Sequence, residues 1–423
     1  MIINEYSDKV EYNEKVIEIA WRRGSIEVNE HWASVKGVRI FKNGCWSIVS
    51  VQGRPADYKL LEEKAYKLIQ NTSKCSDIGL LEDKRCKGEY TIGYKTDIDN
   101  LIDIVQYIKD RGVDGEVILL YEDINRIIDD GSTRCIERKH VYQLSIFYEL
   151  KTQGKVSVGS SSIAFSGSIT DLVKRHIDAL IEEAKLRAKS ALSAKKLSPL
   201  EIGKTTLVLG HEVSAVFFHE IAHVLEGDIP QHLGIGQRLS TTSISIREDP
   251  FYPWSPTSTF FDDEGIMARR KSLVEDGEVV DLLHTRSSAA KMYIEGYSDV
   301  TPGQARGLFH VPKAIHTTLV IEPGDWREKE IIEETRKGIL IDGVIRAEIY
   351  EGMIIIVPEI AWRIESGELV EPVFVRQVKL PLFRALTTID AMGRSLRLRA
   401  SNEKGYRVSE VAPVIRLQGY IEA

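Results

Sequence analysis

Two histidines stand four residues apart in the run Phe218-His219-Glu220-Ile221-Ala222-His223. On a helix of 3.6 residues per turn, such positions lie one above the other, about 5–6 Å apart between Cβ atoms. Both imidazoles then reach one ion, while Glu220, about 100° further round, is placed to take a proton from metal-bound water rather than to ligate. The flanks agree with a helix over about residues 212–226, because Val213, Val216, Phe217, Ile221, Val224 and Leu225 supply apolar packing around it. Gly227 stands where a left-handed C-terminal cap is expected. The spacing predicts a Zn2+ site with His219 and His223 as ligands and Glu220 as general base and acid, the division of labour that peptide hydrolysis needs. Glu212 and Glu226 share the histidine face, and Glu226 is expected either to hold a histidine ring or to bind the metal itself.

A chain of 423 residues exceeds one ordinary core, so two domains are expected, 1–190 and 200–423, joined by a linker over Ala191–Pro199. In the first, residues 8–23 read as a helix from the spacing of Val10, Val16, Ile17, Ile19 and Ala20. Residues 25–52 read as two or three strands with a turn at Asn43-Gly44. Helical spacing returns over 57–70, 101–111 and 171–192, and residues 115–166 read as strands. The second part is mainly strands, interrupted by the metal helix and by a helix from about Arg327 to Lys337 stopped by Gly338. The fold class is therefore α+β, an N-terminal sheet-and-helix domain followed by a mainly antiparallel β domain that carries the metal helix.

Hydrophobic residues at 43% and charged residues at 28% fit a globular chain. The net charge of -7 is mixed along the chain, and no Lys/Arg cluster forms a nucleic-acid footprint. No run approaches the roughly 18 apolar residues of a membrane span, and the N-terminus lacks a secretory pattern, so a cytoplasmic protein is expected. Cys45, Cys75, Cys86 and Cys135 show no paired spacing and read as thiols in a reducing compartment.

The run Val216-Phe-Phe-His-Glu-Ile-Ala-His-Val-Leu-Glu-Gly-Asp228 resembles the metal helix of the TldD/PmbA family of zinc metallopeptidases. Gly37-Val-Arg-Ile-Phe-Lys-Asn-Gly44, Phe261-Asp-Asp-Glu-Gly265, Leu273-Val-Glu-Asp-Gly-Glu-Val279, Phe309-His-Val-Pro312 and Glu330-Ile-Ile-Glu333 are similar to other stretches of that family, so the resemblance spans nearly the whole chain. It implies a cytosolic enzyme that cuts short or unfolded peptides in a chamber formed by a dimer, either of identical chains or with a related subunit. Two departures stand out. The family usually places three residues between its glutamate and second histidine, against two here, and its third ligand is a cysteine where this chain has Ser401. A catalytic zinc takes three protein ligands and keeps one position open. Glu226 and Glu403 are equal candidates for the third, with Asp228 and His232 behind them. Ser401 also favours an alternative, a non-catalytic partner subunit, and the motif alone leaves open a metal-dependent hydrolase of non-peptide substrates.

Other residues carry plainer readings. His211-Glu212 reads as a helix start or a strand end, Asp262-Asp263-Glu264-Gly265 as a solvated turn, His310 and His316 as ordinary histidines, and the Ser/Gly-rich 157–168 as a hairpin.

Overall fold

The computed structural model describes residues 1–423 except 54, 56, 71, 73, 74, 153, 231, 232 and 241, so His232 lies outside the described residues. Its first sheet comprises β1 (Glu5–Arg22), β2 (Ser25–Lys42), β3 (Cys45–Gln52), β4 (Gly88–Ile92), β5 (Gly115–Asp129), β6 (Arg134–Thr152) and β7 (Lys155–Phe165). The order is β3-β2-β1-β5-β6-β4, with β7 on the other stretch of β6.

Residues 8–23 are not helical as expected. Residues 8–22 lie in β1, which pairs along its length with β2 and, from Lys9 to Trp21, with β5. Val16, Ile17 and Ile19 are β-branched and suit the pleat. Arg23-Gly24, both at positive φ, close the two-residue turn to β2. Asn43-Gly44 repeats that turn between β2 and β3, as their sequence predicts.

The helices α1 (Tyr58–Gln70), α2 (Ile98–Lys109) and α3 (Ile169–Ser193) match the helical spacings. Leu101, Val105 and Ile108 of α2 and Leu172, Ile177 and Leu180 of α3 bury against Ile19, Leu119, Leu144 and Ile146 of the sheet. The stretch expected as a linker holds the last turn of α3 and a short strand, Lys195–Lys196, paired with Val373–Phe374.

The cysteines form two disulfides, Cys45–Cys75 and Cys86–Cys135, with Cα atoms 5.1 and 5.7 Å apart. The thiol reading is corrected on this point. Strand pairing makes the second contact, since Gly88 of β4 lies opposite Cys135 of β6, a register that cysteine spacing does not encode.

The second part contains β8 (Gly203–Leu209), α4 (His211–Ala222), β9 (Ile246–Glu248), β10 (Lys271–Glu275), β11 (Glu278–Val279), β12 (Thr318–Ile321), α5 (Glu328–Glu333), β13 (Lys337–Tyr350), β14 (Met353–Glu365), β15 (Glu368–Phe374), β16 (Gln377–Pro381), β17 (Arg397–Glu403), β18 (Tyr406–Ala412) and β19 (Ile415–Glu422). Strands β14-β13-β8-β19-β16 pair in sequence and β16 pairs back onto β14, so this sheet closes on itself, with β15 appended to β14. A smaller sheet runs β11-β10-β9-β12-β18-β17. Helix α4 lies in the core between them, among Leu207, Ile341, Ile246, Leu319 and Ala412. Gly338 does not stop a helix. The helix there ends at Glu333, and Gly338 sits within β13 opposite Ile364, where a Cβ would meet the Thr206 carbonyl oxygen at 2.8 Å.

Buried charge joins the two parts. Arg126 of β5 donates to the Phe261 carbonyl at 2.6 Å and pairs with Asp263, while Arg407 of β18 donates to both oxygens of Glu122 at 2.6 and 2.8 Å. Asp262, Asp263 and Glu264 are thus buried rather than solvated, and Asp262 accepts the backbone N–H groups of Glu264, Ile266 and Ala305. Among the described residues no helix is long and apolar enough to cross a membrane.

Candidate metal centre

Helix α4 begins directly after β8, and Val213–Ala222 is buried throughout. A helix that is apolar on nearly every side is a core element, and here its few polar groups are the chemistry. The α-helix ends at Ala222 and a 3-10 turn, His223–Leu225, carries the chain one step further. His219 and His223 still face each other, with ring centroids 5.0 Å apart and planes at 87°. Gly227 is not a left-handed cap. A Cβ there would meet the His284 ring at 2.5 Å, so glycine is required by close packing.

The third group comes from the far end of the chain. β17 and β18 form a hairpin whose turn, Lys404-Gly405, has both residues at positive φ. Glu403, next to that turn, sets one carboxylate oxygen 3.6 Å from His219 Nε2 and the other 3.9 Å from His223 Nε2. Ligand atoms of these three residues all lie within 4.8 Å of one another. The other expected ligands go elsewhere. Glu226 lies 2.7 Å from His223 Nδ1, and Asp228 accepts the Ala314 N–H at 3.0 Å. Ser401 Oγ accepts from Arg399 at 3.0 Å.

Both imidazoles therefore have Nδ1 engaged by a carboxylate and Nε2 turned toward Glu403. For His219 the Nδ1 partner is Glu410 of β18, at 2.7 Å. Nothing in the sequence singles out Glu410: it lies 191 residues away, inside β18. His316, read as an ordinary histidine, approaches the same Glu410 oxygen at 3.2 Å.

Burial opposes a charge on His219, yet its bonds to Glu403 and Glu410 win and hold its pKa up at about 10. The bond to His219 draws the Glu403 carboxyl down to about 2, against a smaller effect of burial. Glu220, buried beside the two rings, has its pKa raised by that burial, while the neighbouring histidines pull the other way. A carboxylate poised in this sense suits proton transfer.

A cavity of about 960 Å³ opens between α3, β7, Tyr252–Trp254 and Leu396–Leu398. A smaller space of about 210 Å³ shares its Ala164 and Leu398 walls and continues along β17 to Ala400. The same strand ends at Glu403.

Residues 202–420 match the family model of the PmbA/TldA metallopeptidase C-terminal domain. A metalloprotease of Methanocaldococcus jannaschii is 26% identical over 94% of this chain and 91% of its own length. A zinc metalloprotease TldD homolog of Saccharolobus solfataricus is 22% identical over 54% of each chain. In fold, TldE of Thermococcus kodakarensis superposes with a TM-score of 0.80 at 16% identity, over 99% of this chain and 96% of that one. With the family model covering more than half of its length, the chain belongs to the PmbA/TldD family.

Proposed function

We propose that this chain is a zinc-dependent peptidase acting on short or unfolded peptides, with His219, His223 and Glu403 as metal ligands and Glu220 as general base and acid. The observation that carries the reading is the convergence of two imidazole Nε2 atoms on one carboxylate, with each Nδ1 already occupied. Two histidines and a carboxylate are a common hydrolytic zinc set with one position left for water. Bound there, zinc would lower the pKa of a coordinated water toward 7 and polarise a scissile carbonyl.

The protein's own part is positional and protic. Glu220 takes the proton of the attacking water and returns it to the leaving amine, a role that suits a buried carboxyl whose proton affinity burial raises above the ordinary carboxylate range. The larger, mainly apolar cavity beside α3 and the smaller, more polar space that runs along β17 as far as Ala400 offer an extended peptide room on the strand that ends at Glu403.

Ser401 in place of a cysteine keeps a second reading in view, a subunit that binds no metal and serves a related active chain. One experiment separates them. The purified protein is expected to hold about one zinc per chain, and Glu220→Gln to keep that zinc while peptide cleavage falls by about 10²–10⁴-fold. Absence of zinc after loading supports the partner reading, and full activity in Glu220→Gln refutes the assigned base.

A further inference from the structure

Glu410 is fully buried, yet it meets three donors brought by three separate parts of the chain. His219 Nδ1 of α4 lies at 2.7 Å and His316 Nε2, just before β12, at 3.2 Å, both from the same oxygen. Arg399 of β17 donates to the other oxygen at 3.0 Å. The register places Arg399 directly opposite Glu410 in the hairpin that also delivers Glu403.

An ionised carboxylate only accepts hydrogen bonds, so each ring that faces it must present an N–H. For His219 this holds a proton on Nδ1 with or without metal, so the nitrogen left to exchange its proton for an ion is Nε2, which faces Glu403 and His223. His219, His316 and Glu410 are close enough to be a ligand set in their own right. Yet 2.7 Å is hydrogen-bond length, and a neutral imidazole whose Nε2 serves one ion keeps its proton on Nδ1.

We propose that Glu410 is the positioning residue of the centre: it fixes the tautomer and ring orientation of His219, and His316 with Arg399 holds its carboxylate in place. This rests on the ligand set proposed above. Glu226 does the same for His223 from only three residues away, whereas Glu410 makes metal affinity depend on how the β17–β18 hairpin seats against α4.

The test uses the full-length, metal-stripped protein, with Zn2+ and then Co2+ as the probes. Glu410→Gln is expected to weaken zinc about 10–100-fold in chelator competition and to alter the visible spectrum of the cobalt form. In the metal-free wild type, ¹⁵N shifts of His219 are expected to show a proton on Nδ1, and in Glu410→Gln Nδ1 is expected to lose it, because the amide NH₂ can turn toward the ring. If Glu410→Gln does not fold, His316→Gln replaces it, with a smaller loss of zinc affinity and the same direction of change at His219. Unchanged zinc affinity and cobalt spectrum in the variant, or a bare Nδ1 in the wild type, would overturn the proposal. Should the wild type bind no zinc, the ligand assignment fails, and the ring-nitrogen shifts still decide the part played by Glu410.

Discussion

Glu226 lies 2.7 Å from His223 Nδ1, on the side of the ring away from the Nε2 that faces Glu403. A carboxylate bound there orients the imidazole and raises its basicity rather than sharing its metal. Glu403→Ala is therefore expected to cost more zinc affinity than Glu226→Gln, whose loss should stay within about 10–100-fold. Chelator competition on the two variants orders them. The reverse order would make Glu226 the third ligand.

Zinc must displace a proton to bind. Without metal, His219 is held protonated up to about pH 10 by Glu403 and Glu410, and Glu403 is ionised down to about pH 2. Between pH 6 and 9 the ring starts charged and the zinc-bound ring does not carry that proton on Nε2. Affinity should then rise about tenfold per pH unit over this window. Calorimetry in buffers of different ionisation enthalpy is expected to count about one proton released per zinc from this ring. A pH-independent affinity would mean that the ring is neutral before metal arrives.

What a sequence displays depends on how local the cause is. The helix bearing His219, with His223 on the turn that continues it, follows from four-residue spacing, and the Asn43-Gly44 turn from the demand for positive φ at both positions. β1 reads as a helix in the sequence because Val16, Ile17 and Ile19 satisfy a helical count as well as a pleat. The deciding factor, pairing with β2 on one side and β5 on the other, is non-local. Glu403 could be offered as a ligand from resemblance, but its preference over Glu226 needs the hairpin register that sets it before the two rings. Glu410 and the Cys86–Cys135 bridge lie beyond such reasoning for the same cause, contacts made by strand pairing across long loops. Asp262-Asp263-Glu264 looks like a solvated turn because its partner Arg126 lies on β5, far away in sequence.

Arg39 of β2 and Asp8 of β1 form a two-bond pair with neither side chain exposed, and Arg39 also donates to the Gly307 carbonyl at 3.3 Å. Removing one partner of a buried pair strands the other charge, a loss of about 3–5 kcal/mol. Asp8→Ala should lower the melting temperature accordingly, and adding Arg39→Met should restore much of it. A double variant as unstable as the single would show that shape, rather than stranded charge, is at fault.

Glu248 supplies a pH test remote from the proposed ligands. Its carboxyl on β9 is 1% exposed, and burial raises its pKa to about 7, although the Thr317 N–H at 2.8 Å and the Thr317 hydroxyl favour the ionised form. Below its unfolded value of 4.5 the group is protonated in both states and costs nothing. From 4.5 to about 7 the unfolded chain loses the proton first, so stability falls as pH rises; above that window the full cost persists. The shift corresponds to at most about 3 kcal/mol. Glu248→Gln cannot ionise, and its stability relative to wild type should improve by up to that amount between pH 5 and pH 8. Paired denaturant midpoints at the two pH values cancel the other titrating groups, which both proteins share. A difference that stays constant, or that moves against the variant at pH 8, would show that the folded protein accommodates the Glu248 charge without penalty.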